Sequence, residues 1–231
     1  MTSSTSEIAV FSGGAMRRFL TEVVPLFELA RGIKVSVHFA LTRVLKKEIE
    51  DGAAFDMALM PRAELDDLAA SGVILPGSQT DIVRSIVGFI VRVGAPVPDI
   101  TTVEAFRNAL RRAKSISFSQ GPSGLYVAAL LKRLGLADEM KEKTVLAIGR
   151  PVGEVIASGE AEIGMQQIIE NQPVKGAYLV GPLPRELGNF VAYSAGMAAR
   201  ASGHAGARAL VAFLRSPESV RIIREKGMEP A

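Results

Sequence analysis

Four places in the sequence set small or hydroxyl-bearing residues between an apolar run and a helical pattern. They are FSGGAM at 11–16, FALTRV at 39–44, FSQGPSGLY at 118–126 and IGRPVGE at 148–154. A helix opens with N–H groups that have no partner inside the helix, and its dipole is positive at that end. Bare backbone at Gly13, Gly14 and Ala15, with hydroxyls at Ser12 and Ser119, is the material from which a small-anion site can be made. Tight turning alone also accounts for the glycines of the first junction. That junction is neither a P-loop, since no Gly-Lys-Ser/Thr follows, nor a dinucleotide fingerprint, since GxGxxG is missing.

The other reactive side chains are few. His38 in VSVHFA sits on the strand face opposite Val35, Val37 and Phe39. It reads either as a hydrogen-bonded structural histidine or as a proton-transfer group. His204, in SGHAGA, reads as a surface residue. The two histidines lack HExxH spacing and a third ligand, so no metal is expected. Arg43 has Lys46 and Lys47 where a helical ion-pair partner would stand, which leaves it solvated or free to bind. Arg150, just before Pro151, either caps or binds. Gln166 and Gln167 close an apolar strand and serve either a ligand or loop backbone. No Gly-x-Ser-x-Gly elbow occurs. Were the chain an isomerase, His38, Ser12, Ser119 and Tyr126 are the candidate proton carriers, none marked out by spacing.

These junctions must be held by elements, and the pattern supplies them. Apolar runs at 7–11, 34–40, 55–61, 83–94, 115–119, 144–149, 162–167, 176–184 and 189–198 read as strands. Helical patterns follow most of them, and Pro217 and Gly227 punctuate the last. Pro25 falls inside the first helical pattern. Met16, Met57, Met60 and Met165 read as core filling. Strands alternating with helices mean an α/β fold with mixed or parallel sheets and helices on both faces, where ligands gather outside the carboxyl ends of strands.

The bulk numbers exclude several classes. The chain has 231 residues, 48% of them hydrophobic, enough for one large core or two small ones. It has no cysteine, which removes disulfides and thiolate chemistry. A net charge of +3, three tyrosines, no tryptophan and basic residues spread over mixed-charge helices argue against nucleic acid. The longest apolar run, SIVGFIV at 85–91, is far from the roughly 20 residues that cross a bilayer. The opening MTSSTSEI has no basic or apolar leader segment, so the chain as written reads as cytoplasmic, and as periplasmic if a leader has been removed.

In order along nearly the whole chain, AVFSGGAM, VSVHFALTRVLKKEIEDGAAFDMALMP, GPSGLYVAALLKRLGL, GEAEIGMQQ and FLRSPESVRIIREKGMEP resemble the type II periplasmic solute-binding proteins, in particular their molybdate-binding branch. The resemblance implies a two-lobe α/β fold with a ligand cleft between lobes that closes by a hinge. Lobe 1 would take 1–83 and 191–231, lobe 2 would take 84–190, and crossovers would lie near 82–88 and 187–193. It further implies a small anionic ligand, no cofactor, and delivery to an ABC transporter membrane subunit. Position by position, the family's oxyanion contacts fall at Ala15, Thr42, Ser123, the backbone from Gly149 to Val152, and Gln167. Alanine for the first serine and glutamine for the tyrosine depart from the pattern and weigh against molybdate or tungstate. Arg43 beside Thr42 suits a planar carboxylate. Aconitate isomerases, which move a double bond in a tricarboxylate, use a similar scaffold, so an isomerase of that kind is the alternative expectation.

Overall fold

The computed structural model describes residues 7–171, 174–201 and 205–231, which leaves His204 outside the described residues. In chain order it runs β1 (Ile8–Gly13), a 3-10 turn (Gly14–Met16), α1 (Arg17–Arg31), β2 (Val35–Ala40), α2 (Thr42–Glu50), β3 (Met57–Pro61), α3 (Arg62–Ala70) and β4 (Thr80–Arg92). It continues with α4 (Val103–Arg112), β5 (Ile116–Ser119), α5 (Pro122–Arg133), α6 (Ala137–Lys141), β6 (Thr144–Ala147), α7 (Val152–Ser158), β7 (Ile163–Gln167) and α8 (Ile168–Asn171). It ends with β8 (Ala177–Pro182), β9 (Phe190–Met197), α9 (Ala205–Phe213), α10 (Pro217–Glu225) and β10 (Glu229–Pro230). Packing divides the chain into two compact units, Met1–Arg84 with Ala192–Ala231, and Ser85–Val191. β4 and β9 carry the chain from one unit to the other.

In the first unit β1 lies between two parallel neighbours, with Gly13 opposite Ala40 of β2 and Val10 opposite Met57 of β3. β9 joins β3 antiparallel, pairing Met57 with Met197. Helix α1 forms because Phe19, Leu20, Val23 and Phe27 recur at helical spacing, and all four are buried. Burying each such side chain contributes about 2 kcal/mol. Pro25 stands on the exposed side of this helix. Phe27 meets Phe213 of α9 edge to face at 5.6 Å. Met16, Met57 and Met60 are fully buried here, as Met165 is in the second unit.

In the second unit β5 is the central parallel strand, flanked by β6 and β7. β4 runs against that direction and pairs antiparallel with both β7 and β8. The sheets are therefore mixed, with parallel pairing confined to the strands that lead into helices. Residues of alternate parity on the strands feed two cores. Phe106, Ile116, Phe118, Val127, Leu130, Ile163 and Met165 join one, where Phe89 meets Phe106 edge to face at 6.1 Å. Ile90, Val152, Val155 and Ile156 join the other, under α7. The short α6, α8 and β10 were not anticipated; segments of two to five residues are too brief to show a period. No helix among the described residues is long and apolar enough to cross a membrane.

Candidate functional site

Parallel pairing decides which junctions share an edge. In the first unit β1, β2 and β3 all end on the same side, at Gly13, Ala40 and Pro61, and the helical turns that follow all start there. FSGGAM and FALTRV are thus brought together: a Cβ placed on Gly13 would stand 3.4 Å from Thr42 Oγ1 and 3.9 Å from Tyr193 Cε1. Ser12 is buried, and its hydroxyl donates a long 3.4 Å bond to the Gly13 carbonyl. Gly14 is exposed and Ala15 half-buried, so the turn presents backbone. Thr42 opens α2 half-buried, with Leu41 as its N-cap making no side-chain cap. Arg43 is exposed and makes no hydrogen bond or ion pair with another described residue.

The same edge carries residues that reading along the sequence did not single out. Tyr193 and Ser194 of β9 pair with Pro61 and Met60 of β3. Ser194 donates to Asp81 at 2.6 Å, and Arg62, the first residue of α3, donates to Asp81 at 3.1 Å and to Asp66 at 2.8 Å. The Ser194 hydrogen bond and the Arg62 guanidinium hold the Asp81 carboxyl below its ordinary value. Tyr193 and Arg62 are distant in sequence from the glycine turn. Only the proline that ends β3 just before a helical pattern hinted at a third junction.

In the second unit β5, β6 and β7 end together at Ser119, Ala147 and Gln167. Helix α5 starts so close to β5 that a Cβ on Gly124 would fall 1.6 Å from the Ser119 carbonyl oxygen. Glycine is obligatory there. Ser123, 1% exposed in the first turn of α5, has a buried hydroxyl with no hydrogen-bond partner among the described residues. Ser85 and Ser117 are likewise buried without a partner, but both lie within strands. The Ser119 hydroxyl accepts from Gly121 N–H at 3.2 Å and shapes the turn. Gly149 has a φ of +70°, in the left-handed region that suits glycine, and lies exposed.

Several candidates are engaged within the fold. Arg150 pairs with Glu160, which raises the arginine's pKa and lowers that of the carboxyl. Val152 donates its N–H to Gln166 Oε1 at 2.7 Å, so Gln166 caps α7. Gln167 is fully buried on the face of β7 shared with Ile163 and Met165, toward α5. His38 bonds Glu48 at 2.8 Å and meets Phe11 edge to face. Tyr126 donates to the Leu187 carbonyl at 3.3 Å, and burial pushes its hydroxyl's pKa up. Among the described residues no group of three or more His, Asp or Glu side chains is placed to hold a metal ion. A cavity lined by Val91, Pro96, Asn108, Arg112, Glu162 and Ile163 opens at the start of β7, the end away from Gln167.

Comparison with known proteins gives a consistent set of likenesses. A family model described as bacterial extracellular solute-binding protein matches residues 8–229. An aconitate isomerase from Pseudomonas sp is 32% identical over 229 residues, covering 96% of this chain and 87% of that protein. The molybdate-binding protein ModA of Escherichia coli (strain K12) is 23% identical, covering 96% and 88%. The solved periplasmic molybdate-binding protein of Azotobacter vinelandii shares the fold with a TM-score of 0.70 at 20% identity, covering 96% and 98%.

Proposed function

We propose, from the premise that this chain belongs to the bacterial extracellular solute-binding protein family, that it captures a small anion through its strand-to-helix junctions. The observation that carries the reading is Ser123. A buried hydroxyl without a partner is costly to keep, and this one stands in the first turn of a twelve-residue helix, where N–H groups and dipole favour negative charge. An anion accepting from that hydroxyl removes the cost. Thr42 and the bare backbone of Gly13 to Ala15 supply equivalent donors in the first unit.

Organic carboxylates fit the site better than tetrahedral oxyanions. Alanine at 15 and glutamine at 167 leave two fewer hydroxyls than the molybdate-binding pattern offers, and Arg43 has a guanidinium uncommitted among the described residues. Paired N–H donors of a guanidinium match the two oxygens of a carboxylate. Delivery to an ABC transporter membrane subunit is the setting in which such capture is useful.

The test is the melting temperature with molybdate, tungstate, sulfate, citrate, cis-aconitate and trans-aconitate in turn. Stabilisation by at least one of them, lost in both Ser123→Ala and Thr42→Ala, is the expected result. No shift with any anion would overturn the reading. A second reading, an aconitate-isomerase-like enzyme, is favoured by the 32% identity to the Pseudomonas isomerase. Such a reaction removes a proton from one carbon of the acid and returns one at another. Proton NMR of cis-aconitate incubated with the protein tests it: appearance of the trans acid supports turnover, and an unchanged spectrum removes it.

A further inference from the structure

Glu170 has no part in the site described above, and its surroundings are unusual for a carboxyl. Gly164 and Gln166 share the face of β7 turned to α7. A Cβ on Gly164 would stand 2.6 Å from Val152 Cγ1 and 2.9 Å from Ile156 Cγ1, so α7 packs directly on the strand. That approach lets Gln166 Oε1 reach Val152 N–H. The same Gln166 side chain also hydrogen-bonds the Glu170 carboxyl. Glu170 Oε2 is enclosed and has no partner among the described residues. One carboxyl, one amide and one backbone N–H form a chain from α8 to the turn Gly149–Val152, all within the second unit.

An ionised carboxylate can only accept, which keeps the Gln166 NH₂ turned to Glu170 and its carbonyl turned to Val152. A protonated Glu170 gains an O–H donor. The Gln166 carbonyl, brought round by a turn of the amide, is then its acceptor on the same side chain, and Val152 N–H loses its cap. We propose that Glu170 is a positioning residue for the anion site, fixing the Gly149–Val152 turn through the Gln166 amide and releasing it on taking up a proton. The inference rests on the reading that this turn belongs to the anion site.

Burial pushes the Glu170 carboxyl up to about 7, against a smaller lowering by Gln166. Of the elements packed on α8, β7 carries no ionisable side chain and β8 carries Tyr178. The part of β4 in the same unit carries Arg92, whose guanidinium lies by Gly159. Loss of solvation on burial, not a neighbouring charge, sets this group.

The experiment follows the Val152 amide by ¹⁵N NMR between about pH 5.5 and 8.5, in wild type and Glu170→Gln, without anion and with molybdate or trans-aconitate. A single-step titration of Val152 near pH 7 in wild type, absent in E170Q, is expected. Affinity for the bound probe should follow pH in wild type and lose that dependence in E170Q. A Val152 resonance that does not titrate, or titrates equally in E170Q, overturns the inference. Should E170Q not fold, ¹³C labelling of glutamate in wild type reads the carboxyl itself, and a midpoint in the ordinary carboxylate range overturns it. Probe binding with a flat Val152 counts against this relay alone. A titrating Val152 with no probe bound counts against the anion site on which the inference rests.

Discussion

At the residue scale, the chemistry turns on side chains of almost no size and on hydroxyls whose surroundings differ. Gly124 is the sharpest case. Its missing Cβ makes room for the Ser119 carbonyl at 1.6 Å, a backbone atom that cannot swing aside. Gly124→Ala should therefore destabilise by about 3 kcal/mol or more, or prevent folding, measurable in urea titration as a lowered midpoint. Gly149→Ala meets no clash but must hold a left-handed φ, and should cost about 1 kcal/mol. The sequence marked both residues only as members of small-residue turns. It could not tell the clash from the φ, because that depends on which backbone lies opposite. The same limit applied to Ser12, Ser119 and Ser123, alike in sequence, of which Ser119 shapes its own turn and Ser123 keeps an unpartnered buried hydroxyl.

At the element scale, helix starts differ in who satisfies them. Thr102 caps α4, accepting from Ala105 N–H at 3.1 Å. Thr102→Ala should cost about 1 kcal/mol, seen in the same urea titration, with anion-induced shifts unchanged because this cap lies apart from the junctions. Helix α7 is capped instead by Gln166, fourteen residues further along. Local motif reading finds Thr102, three residues before the N–H it serves, and cannot find Gln166. Most strands and helices were legible from periodicity, since each buries one face. The direction of each strand was not: β4, β8 and β9 read like the others in composition, yet pair antiparallel.

At the scale of the whole molecule, pH and ligand shift global stability in opposite tests. A carboxyl raised from its ordinary 4.5 to about 7 is more protonated folded than unfolded, so its contribution is fully present below about 4.5 and lost as pH rises through about 7. The melting temperature should fall between about pH 5 and 8 by an amount corresponding to about 3 kcal/mol, and E170Q should flatten that slope. Carboxyls held low by partners, such as Asp81 with Ser194 and Arg62, act oppositely and only at more acid pH. A bound anion at about 100 times its dissociation constant should raise the melting temperature by roughly 5–10 °C. The sequence by itself determined the α/β alternation, the apolar faces and the small-residue junctions, because these follow from local period and residue size. Only the tertiary structure decided which junctions share an edge, that Gln166 is a cap, and that Glu170 is a buried carboxyl. Those depend on pairing direction and desolvation, which arise from contacts between segments far apart in the chain.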